Sequence, residues 1–146
     1  MTSFRHAREP SHPIPEEIEA IGKAVLDAAF AVHSELGPGL LERAYAKALS
    51  VEIEGMGLGV ETEVVVPLVY KGRPLGPSFR LDAIVEGCIV VEVKSLDEIH
   101  PVHVSQVLTY LRLSDLHLGY VLNFNVPHLK DGVRRVYLPG RAQPSS

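Results

Sequence analysis

Apolar residues recur at helical spacing over two stretches near the start of the chain. From Pro15 to Leu36 they fall three and four residues apart, and Gly37-Pro38-Gly39 follows, so a first helix is predicted over residues 15–36. Pro15 suits the first helical position of this element. A second periodic stretch predicts a helix from about Leu40 to Glu54, which ends at the glycines that follow it.

After residue 59 the pattern becomes extended. Five strands are predicted from valine-rich or buried-looking segments, at residues 61–70, 79–85, 89–94, 118–124 and 133–138. A turn over residues 71–74 separates the first two, and the last is expected to be an edge strand. A third helix is predicted over residues 100–113, between the third and fourth strands.

The element order ααβββαββ determines the expected fold class. The second and third strands are too close in sequence to be anything but an antiparallel hairpin, whereas the third helix allows a parallel crossover to the fourth strand. A mixed β-sheet flanked by helices follows, which is an α/β fold of the α+β type. We expect one domain over residues 14–138, with disordered tails at 1–13 and 139–146.

Composition and charge narrow the classes of protein. The single cysteine, Cys88, excludes a disulfide within the chain and a zinc site with several thiolates. No segment resembles a signal peptide or reaches the roughly 18 apolar residues of a membrane span, so we expect a cytoplasmic protein that does not bind membranes. The net charge of −4 argues mildly against nucleic-acid binding, which usually leaves a basic surface.

The third predicted strand carries the most informative residue of the chain. Glu92 lies among Val90, Val91 and Val93, where a carboxylate is costly unless it is paired or bound to a metal ion. In an extended strand Glu92 and Lys94 point to the same face. Asp82, on the preceding strand, must join them if a site is to exist.

The hairpin register decides whether Asp82 reaches Glu92. A two-residue turn at Glu86-Gly87 would pair Asp82 with Val91 and place the two acids on opposite faces. A three-residue connection over residues 85–87, with Gly87 in the left-handed region, would pair Asp82 with Val90 and place the acids on one face as diagonal neighbours. We predict the second register.

Two carboxylates on one face suit a hard divalent cation. Asp82 and Glu92, with waters and the Val93 carbonyl, are predicted to bind Mg²⁺ or Mn²⁺ and so to activate a phosphodiester for attack by water. Lys94 would position that water or neutralise charge in the transition state. The residues alone leave open a second interpretation, in which Glu92 and Lys94 form an ordinary ion pair on an exposed hairpin.

Five further residues are candidates for the site, and each also has an alternative role outside it. Glu42 either favours the dipole at the start of the second helix or belongs to the site. Gln106 and Tyr110 share a face of the third helix, where Gln106 would orient water or phosphate and Tyr110 would contact substrate, unless this is a solvated polar face. Arg134 and Arg135 would contact a nucleic-acid backbone, unless they lie on a solvated edge strand.

Several motifs, taken in order, resemble the GxxExxY protein family, which is similar to the PD-(D/E)xK nuclease superfamily. The resemblance covers about residues 16–138 and rests on Gly39-Leu-Leu-Glu42-Arg-Ala-Tyr45, Leu81-Asp82, Val91-Glu92-Val-Lys94, Gln106-Val-Leu-Thr-Tyr110-Leu111 and Gly119-Tyr-Val-Leu-Asn123-Phe124. It implies a restriction-endonuclease-like core, with Asp82 and Glu92 as metal ligands and Lys94 as the catalytic lysine. It further implies that Glu42 and Gln106 line the site.

These observations together predict a Mg²⁺- or Mn²⁺-dependent nuclease that acts on DNA or RNA. The alternative is a nuclease-fold protein that binds nucleic acid or a protein partner without cutting. A homodimer is expected only by analogy with other nucleases of this fold.

Overall fold

A computed structural model describes residues 13–139 of the chain. Its helices are α1 (Glu16–Leu36), α2 (Glu42–Gly55) and α3 (Pro101–Ser114), with a short 3₁₀ helix at Leu129–Gly132; its strands are β1 (Val60–Tyr70), β2 (Arg73–Val85), β3 (Ile89–Lys94), β4 (Leu118–Asn123) and β5 (Val133–Tyr137). The predicted order ααβββαββ is confirmed. The two predicted tails lie outside the described residues, apart from Pro13 and Pro139.

The five strands form one mixed sheet in the order β1-β2-β3-β4-β5. All neighbouring pairs are antiparallel except β3 and β4, which run parallel and are joined by α3. This confirms the α+β class, the parallel crossover and the edge position of β5. Within residues 13–139, no helix combines the length and the apolar composition that crossing a membrane requires.

Two apolar cores cover the two faces of the sheet. One packs α1 and α2 against odd-numbered residues of β3, and the other packs α3 against the opposite face. In the first core the rings of Tyr45 and Phe124 are stacked, with centroids 4.7 Å apart. The helices therefore pack against the central strands: all six residues of β4 are buried, and β3 is buried apart from Glu92 and Lys94.

The ends of α1 differ slightly from the prediction. Pro15 is the residue before the helix rather than its first helical residue, and its carbonyl accepts hydrogen bonds from the amides of Ile18 and Glu19. At the other end Gly37 has a φ of 68° and donates to the carbonyl of His33. A glycine is favoured there because the left-handed region strains other residues.

Strand β2 begins at Arg73, so the predicted start at Phe79 and the predicted turn over residues 71–74 were wrong. The turn is only Lys71-Gly72, both with positive φ, which is the geometry of a tight hairpin. Pro74 and Pro77 are tolerated in β2 because β3 pairs only with its last residues, and the outer part of β2 has β1 on one side alone. The pairing with β1 is irregular around Pro67, and Glu63 in β1 has a φ of 52°.

The register of the β2–β3 hairpin also differs from the prediction. The three connecting residues are 86–88, with Val85 opposite Ile89 and Ala83 opposite Val91, so the predicted pairing of Asp82 with Val90 was wrong. Continuing the observed register by one residue sets Asp82 opposite Glu92. The shift of two residues keeps the same faces. It arises from a contact distant in sequence, since the Glu86 amide and carboxylate both bond to Gly59.

Candidate active site

The β2–β3 ladder ends where Asp82 and Glu92 face each other. The amide of Val93 donates to Oδ2 of Asp82 at 2.6 Å, and the amide of Asp82 donates to Oε1 of Glu92 at 3.3 Å. Side-chain oxygens thus replace the backbone carbonyls that would continue the hairpin. The two strands separate at this point, and both acids are fixed by backbone groups of the hairpin itself.

Lys94 completes the group. Its Nζ lies 3.6 Å from Oε2 of Glu92, and the side chains of Lys94 and Glu92 are only 18% and 12% exposed. An ion pair this enclosed is screened less than one at the surface. The structure therefore brings Asp82, Glu92 and Lys94 together, rather than leaving an exposed hairpin with a solvated ion pair.

The two acids disfavour each other's charge. Burial and then the negative charge of Asp82 raise the pKa of Glu92 to about 7, although Lys94 opposes both effects. Burial also raises the pKa of Asp82, although the Val93 amide and Lys94 pull it down, and Glu42 adds a smaller increase. Such a pair is relieved either by a shared proton or by a cation between the carboxylates.

The donor set suits a hard cation. The carboxylates supply oxygens, and the carbonyl of Val93 lies on the same side of β3 as its amide, which bonds to Asp82. Within residues 13–139, no three Asp, Glu, His or Cys side chains converge into a closed cage. An ion held here would complete its shell with water, as Mg²⁺ usually does in proteins.

Helix α2 approaches the acids through its first residues. Ser95, directly after Lys94, donates from its hydroxyl to the carbonyl of Leu40 at 2.6 Å. The amide of Leu40 in turn donates to the hydroxyl of buried Tyr45 at 3.1 Å. Glu42 is exposed at the start of α2, and its charge raises the pKa of both Asp82 and His103. The structure thus places Glu42 beside the acid pair.

A groove of about 720 Å³ leads to Asp82 between α2 and the β1–β2 ribbon. Arg43 and Lys47 line it from α2, and Arg80 lines it from β2. Arg80 lies 3.5 Å from Glu63, and both side chains are mostly exposed. Carboxylates from α2, β1 and β2 line the groove beside these three cations, so its charge is mixed, and it is open to solvent at one side of the acid pair.

The residues predicted on α3 are divided between surface and core. Gln106 is exposed, and among the described residues it has no hydrogen bond to Asp82, Glu92 or Lys94. Tyr110 is 3% exposed and packs in the core between α3 and the sheet. Its position favours a packing role over contact with a substrate.

Arg134 and Arg135 do not form a cluster. Neighbouring residues of β5 point to opposite faces of the sheet, and the two arginines stand opposite Val121 and Tyr120 of β4. Arg135 is paired with Glu19 of α1 at 2.6 Å, while Arg134 bonds to backbone carbonyls at the start of β5. Their positions favour the edge-strand alternative.

Two residues that shape the site, Asn123 and His103, had no role predicted for them from the sequence. Asn123 is 1% exposed, and its amide group bonds to the amide and the carbonyl of Leu96, which holds the segment after Lys94. His103 of α3 lies near Lys94, since burial and then the charge of Lys94 lower its pKa. Asn123 had a signal, because it is the polar residue at the end of an apolar strand.

A comparison with protein families agrees with this geometry. The model of the PD-(D/E)XK nuclease superfamily matches residues 19–136, from within α1 to within β5. The matched region contains the acid pair and Lys94. No curated protein and no solved structure matches the chain.

Proposed function

The chain belongs to the PD-(D/E)XK nuclease superfamily, and from this premise we propose that it hydrolyses phosphodiester bonds of nucleic acid with the help of a divalent metal ion. Nucleases of this superfamily generally use such ions. One observation carries the proposal: Asp82, Glu92 and Lys94 meet where β2 and β3 separate, and their side chains are largely enclosed. This arrangement joins two hard oxygen ligands to a fixed positive charge.

Asp82, Glu92 and the Val93 carbonyl are the proposed ligands of Mg²⁺, or of Mn²⁺ in its place. The fit rests on the raised pKa of both acids, which a cation between them would lower. When bound, the ion supplies Lewis acidity toward the phosphoryl group. Oxygen donors favour magnesium or manganese over zinc.

Lys94 has the role of a fixed cation in this proposal. Its ammonium lies 3.6 Å from Oε2 of Glu92, which is an ion-pair distance, and the enclosure of both side chains keeps it beside the acid pair. From there it faces the charge that develops on the phosphoryl oxygens and can hold a water by hydrogen bonding. Glu42, on the first turn of α2, would be an additional acidic residue of the site, and Gln106 of α3 would orient water or phosphate.

The finer points of the proposal follow the sequence. The substrate is DNA or RNA, the enzyme works in the cytoplasm, and it pairs as a homodimer like other nucleases of this fold. Arg134 and Arg135 remain candidates for weak backbone contacts only. Membership in the narrower GxxExxY family stays a prediction.

Hydrolysis is tested with labelled single- and double-stranded DNA and RNA in the presence of Mn²⁺. Wild-type protein is expected to cleave at least one substrate, and Glu92→Gln and Lys94→Ala are expected to abolish cleavage. Glu98→Gln and Lys23→Ala change exposed residues that have no role in the proposed site, and they serve as matched controls that retain activity.

Two outcomes contradict the proposal. Cleavage that persists in Glu92→Gln and in Lys94→Ala would come from another source. Binding of nucleic acid without any cleavage would favour the alternative of a silent nuclease-fold protein.

A further inference from the structure

Two leucines beside the acid pair are exposed although their backbone is fixed. Leu41 is 80% exposed and Leu40 is 40% exposed, immediately before α2. The Leu40 carbonyl accepts the Ser95 hydroxyl, and its amide donates to the hydroxyl of buried Tyr45. The segment is thus held from both sides, so the apolar surface is presented to solvent by the fold itself rather than by a loose loop.

Two cations stand next to these leucines. Arg43 and Lys47 are four residues apart on α2 and so share one face of the helix. Within residues 13–139, neither has a carboxylate within salt-bridge distance. Arg43 also lies in the first turn, where the helix dipole disfavours a positive charge. The like charges of Arg43 and Lys47 also repel each other at this spacing, and a bound anion would relieve both effects.

The leucines and the cations lie along one continuous surface that ends at the acid pair. A groove of about 850 Å³ is lined by Leu40, Leu41, Arg43, Lys47 and Ser95. The groove of about 720 Å³ that reaches Asp82 shares Arg43 and Lys47 with it. Glu42 lines both grooves as well, so a carboxylate stands beside the two cations where the grooves meet.

We infer that this surface, the α2 shelf formed by Leu40, Leu41, Arg43 and Lys47, binds an unpaired strand of nucleic acid next to the scissile bond. Bases of the strand pack on Leu40 and Leu41, and its phosphates bind Arg43 and Lys47. This inference rests on the proposed function and adds its substrate class, which is single-stranded nucleic acid or an unpaired end.

Because the α2 shelf has both apolar and cationic groups, it is expected to bind an unpaired strand more tightly than a duplex. In a duplex the bases are stacked and paired, and the outer surface offers phosphates and groove edges. Apolar side chains such as leucine gain little binding free energy from contact with phosphates. An unpaired strand presents the faces of its bases as well as its phosphates, and both kinds of group on the α2 shelf then have a partner.

The test is fluorescence anisotropy with Ca²⁺ in place of Mn²⁺ to suppress hydrolysis. The probes are labelled oligothymidylate, oligouridylate and a blunt duplex of the same length. Wild-type protein is expected to prefer the unpaired probes. Leu41→Ser is expected to weaken their binding about fivefold, with no change for the duplex. Lys47→Gln is expected to reduce the slope of log affinity against log salt concentration by about 0.7.

Matched controls come from exposed residues elsewhere. Leu113→Ser on α3 and Lys23→Gln on α1 change the same kinds of side chain and are expected to bind like wild type. Because Leu41 is 80% exposed and is the N-cap of α2, a position that serine favours, Leu41→Ser is expected to melt at or above the wild-type temperature. The DNA and RNA probes show which sugar the shelf accepts.

The outcomes distinguish the shelf from the hydrolytic proposal. Equal affinity for the blunt duplex, or unchanged binding in both shelf variants, overturns the shelf even if wild-type protein cleaves nucleic acid with Mn²⁺. Binding of unpaired probes that depends on Leu41 supports the shelf even if no cleavage is seen, in which case it is the hydrolytic proposal that fails.

Discussion

The amide of Val93 donates to Oδ2 of Asp82 across 2.6 Å, in the place where a backbone carbonyl of β2 would otherwise pair with β3. The acid is therefore part of the hydrogen bonding of the hairpin as well as part of the site. This dual use explains why two carboxylates can be held together in a largely enclosed position: each accepts a backbone N–H that would otherwise be unsatisfied.

Asp82 is expected to matter for stability as well as for activity. Asp82→Asn keeps an oxygen that can accept from Val93, whereas Asp82→Ala leaves that amide unpaired, so the alanine variant should unfold about 1 kcal/mol more easily than the asparagine variant. Urea denaturation of both variants measures the difference. Equal stability of the two variants would mean that the hydrogen bond from Val93 contributes little to folding. Both variants are expected to lack nuclease activity.

The stability of the metal-free protein is expected to fall as the pH rises. The folded pKa of Glu92, about 7, lies above its ordinary value of 4.5, so between these values the folded state holds more protons than the unfolded state. With respect to this carboxyl group, the folded protein is most stable below pH 4.5, and it loses that stability as the pH rises through about 7. The loss is of the order of 3 kcal/mol.

Glu92→Gln separates this effect from other titrations. In this variant the free energy of unfolding should decline much less as the pH rises, so the variant should be more stable than wild type above neutral pH in EDTA. Glu98→Gln should behave like wild type. Urea midpoints at about pH 5 and about pH 8 measure it. Wild-type stability that stays constant or rises across this window would contradict the raised pKa.

Mn²⁺ is expected to offset the loss of folding stability that ionised Glu92 causes above neutral pH. Ions that bind only the folded state at about 100 times their Kd add about 2.7 kcal/mol to the free energy of unfolding. The increase should be larger at about pH 8 than at about pH 5, because at the lower pH protons compete for the same carboxylates. Thermal melts with and without Mn²⁺ provide the measurement, and an equal shift in Glu92→Gln would place the ion elsewhere.

Gly132 is expected to tolerate no side chain. A Cβ there would stand 2.1 Å from the carbonyl oxygen of Asn123, which is backbone and cannot move aside cheaply. Gly132→Ala should therefore cost at least about 3 kcal/mol in urea denaturation. Gly55→Ala is the matched control, since a Cβ at Gly55 meets nothing within 4 Å. Similar stability of the two variants would contradict the packing described for Asn123.

The sequence predicted the elements whose signals are local. Strand β3 is a valine run with two charges, and it was predicted with its observed bounds because its pattern is uninterrupted. The shared face of Asp82 and Glu92 followed from the parity of the hairpin, which a shift of two residues preserves. Both predictions needed only neighbouring residues.

The sequence did not predict features that depend on distant contacts. The register depended on Gly59 holding Glu86, and the early start of β2 depended on its outer side having no partner strand, which made the prolines acceptable. The α2 shelf was missed for the same reason. Leu40 and Leu41 lie within a motif, and only the bonds of the Leu40 backbone with the hydroxyls of Tyr45 and Ser95 show that this segment is fixed.

The outer edge of β1 bears on aggregation. Among residues 13–139 no strand pairs with its far side, and exposed Val65 and Val69 would suit pairing with the edge of another molecule. Pro67 lacks the N–H that such a pairing requires, and the positive φ of Glu63 bends the strand before it. These two irregularities of β1 therefore oppose the pairing of its long, valine-rich edge with a strand of a neighbouring chain.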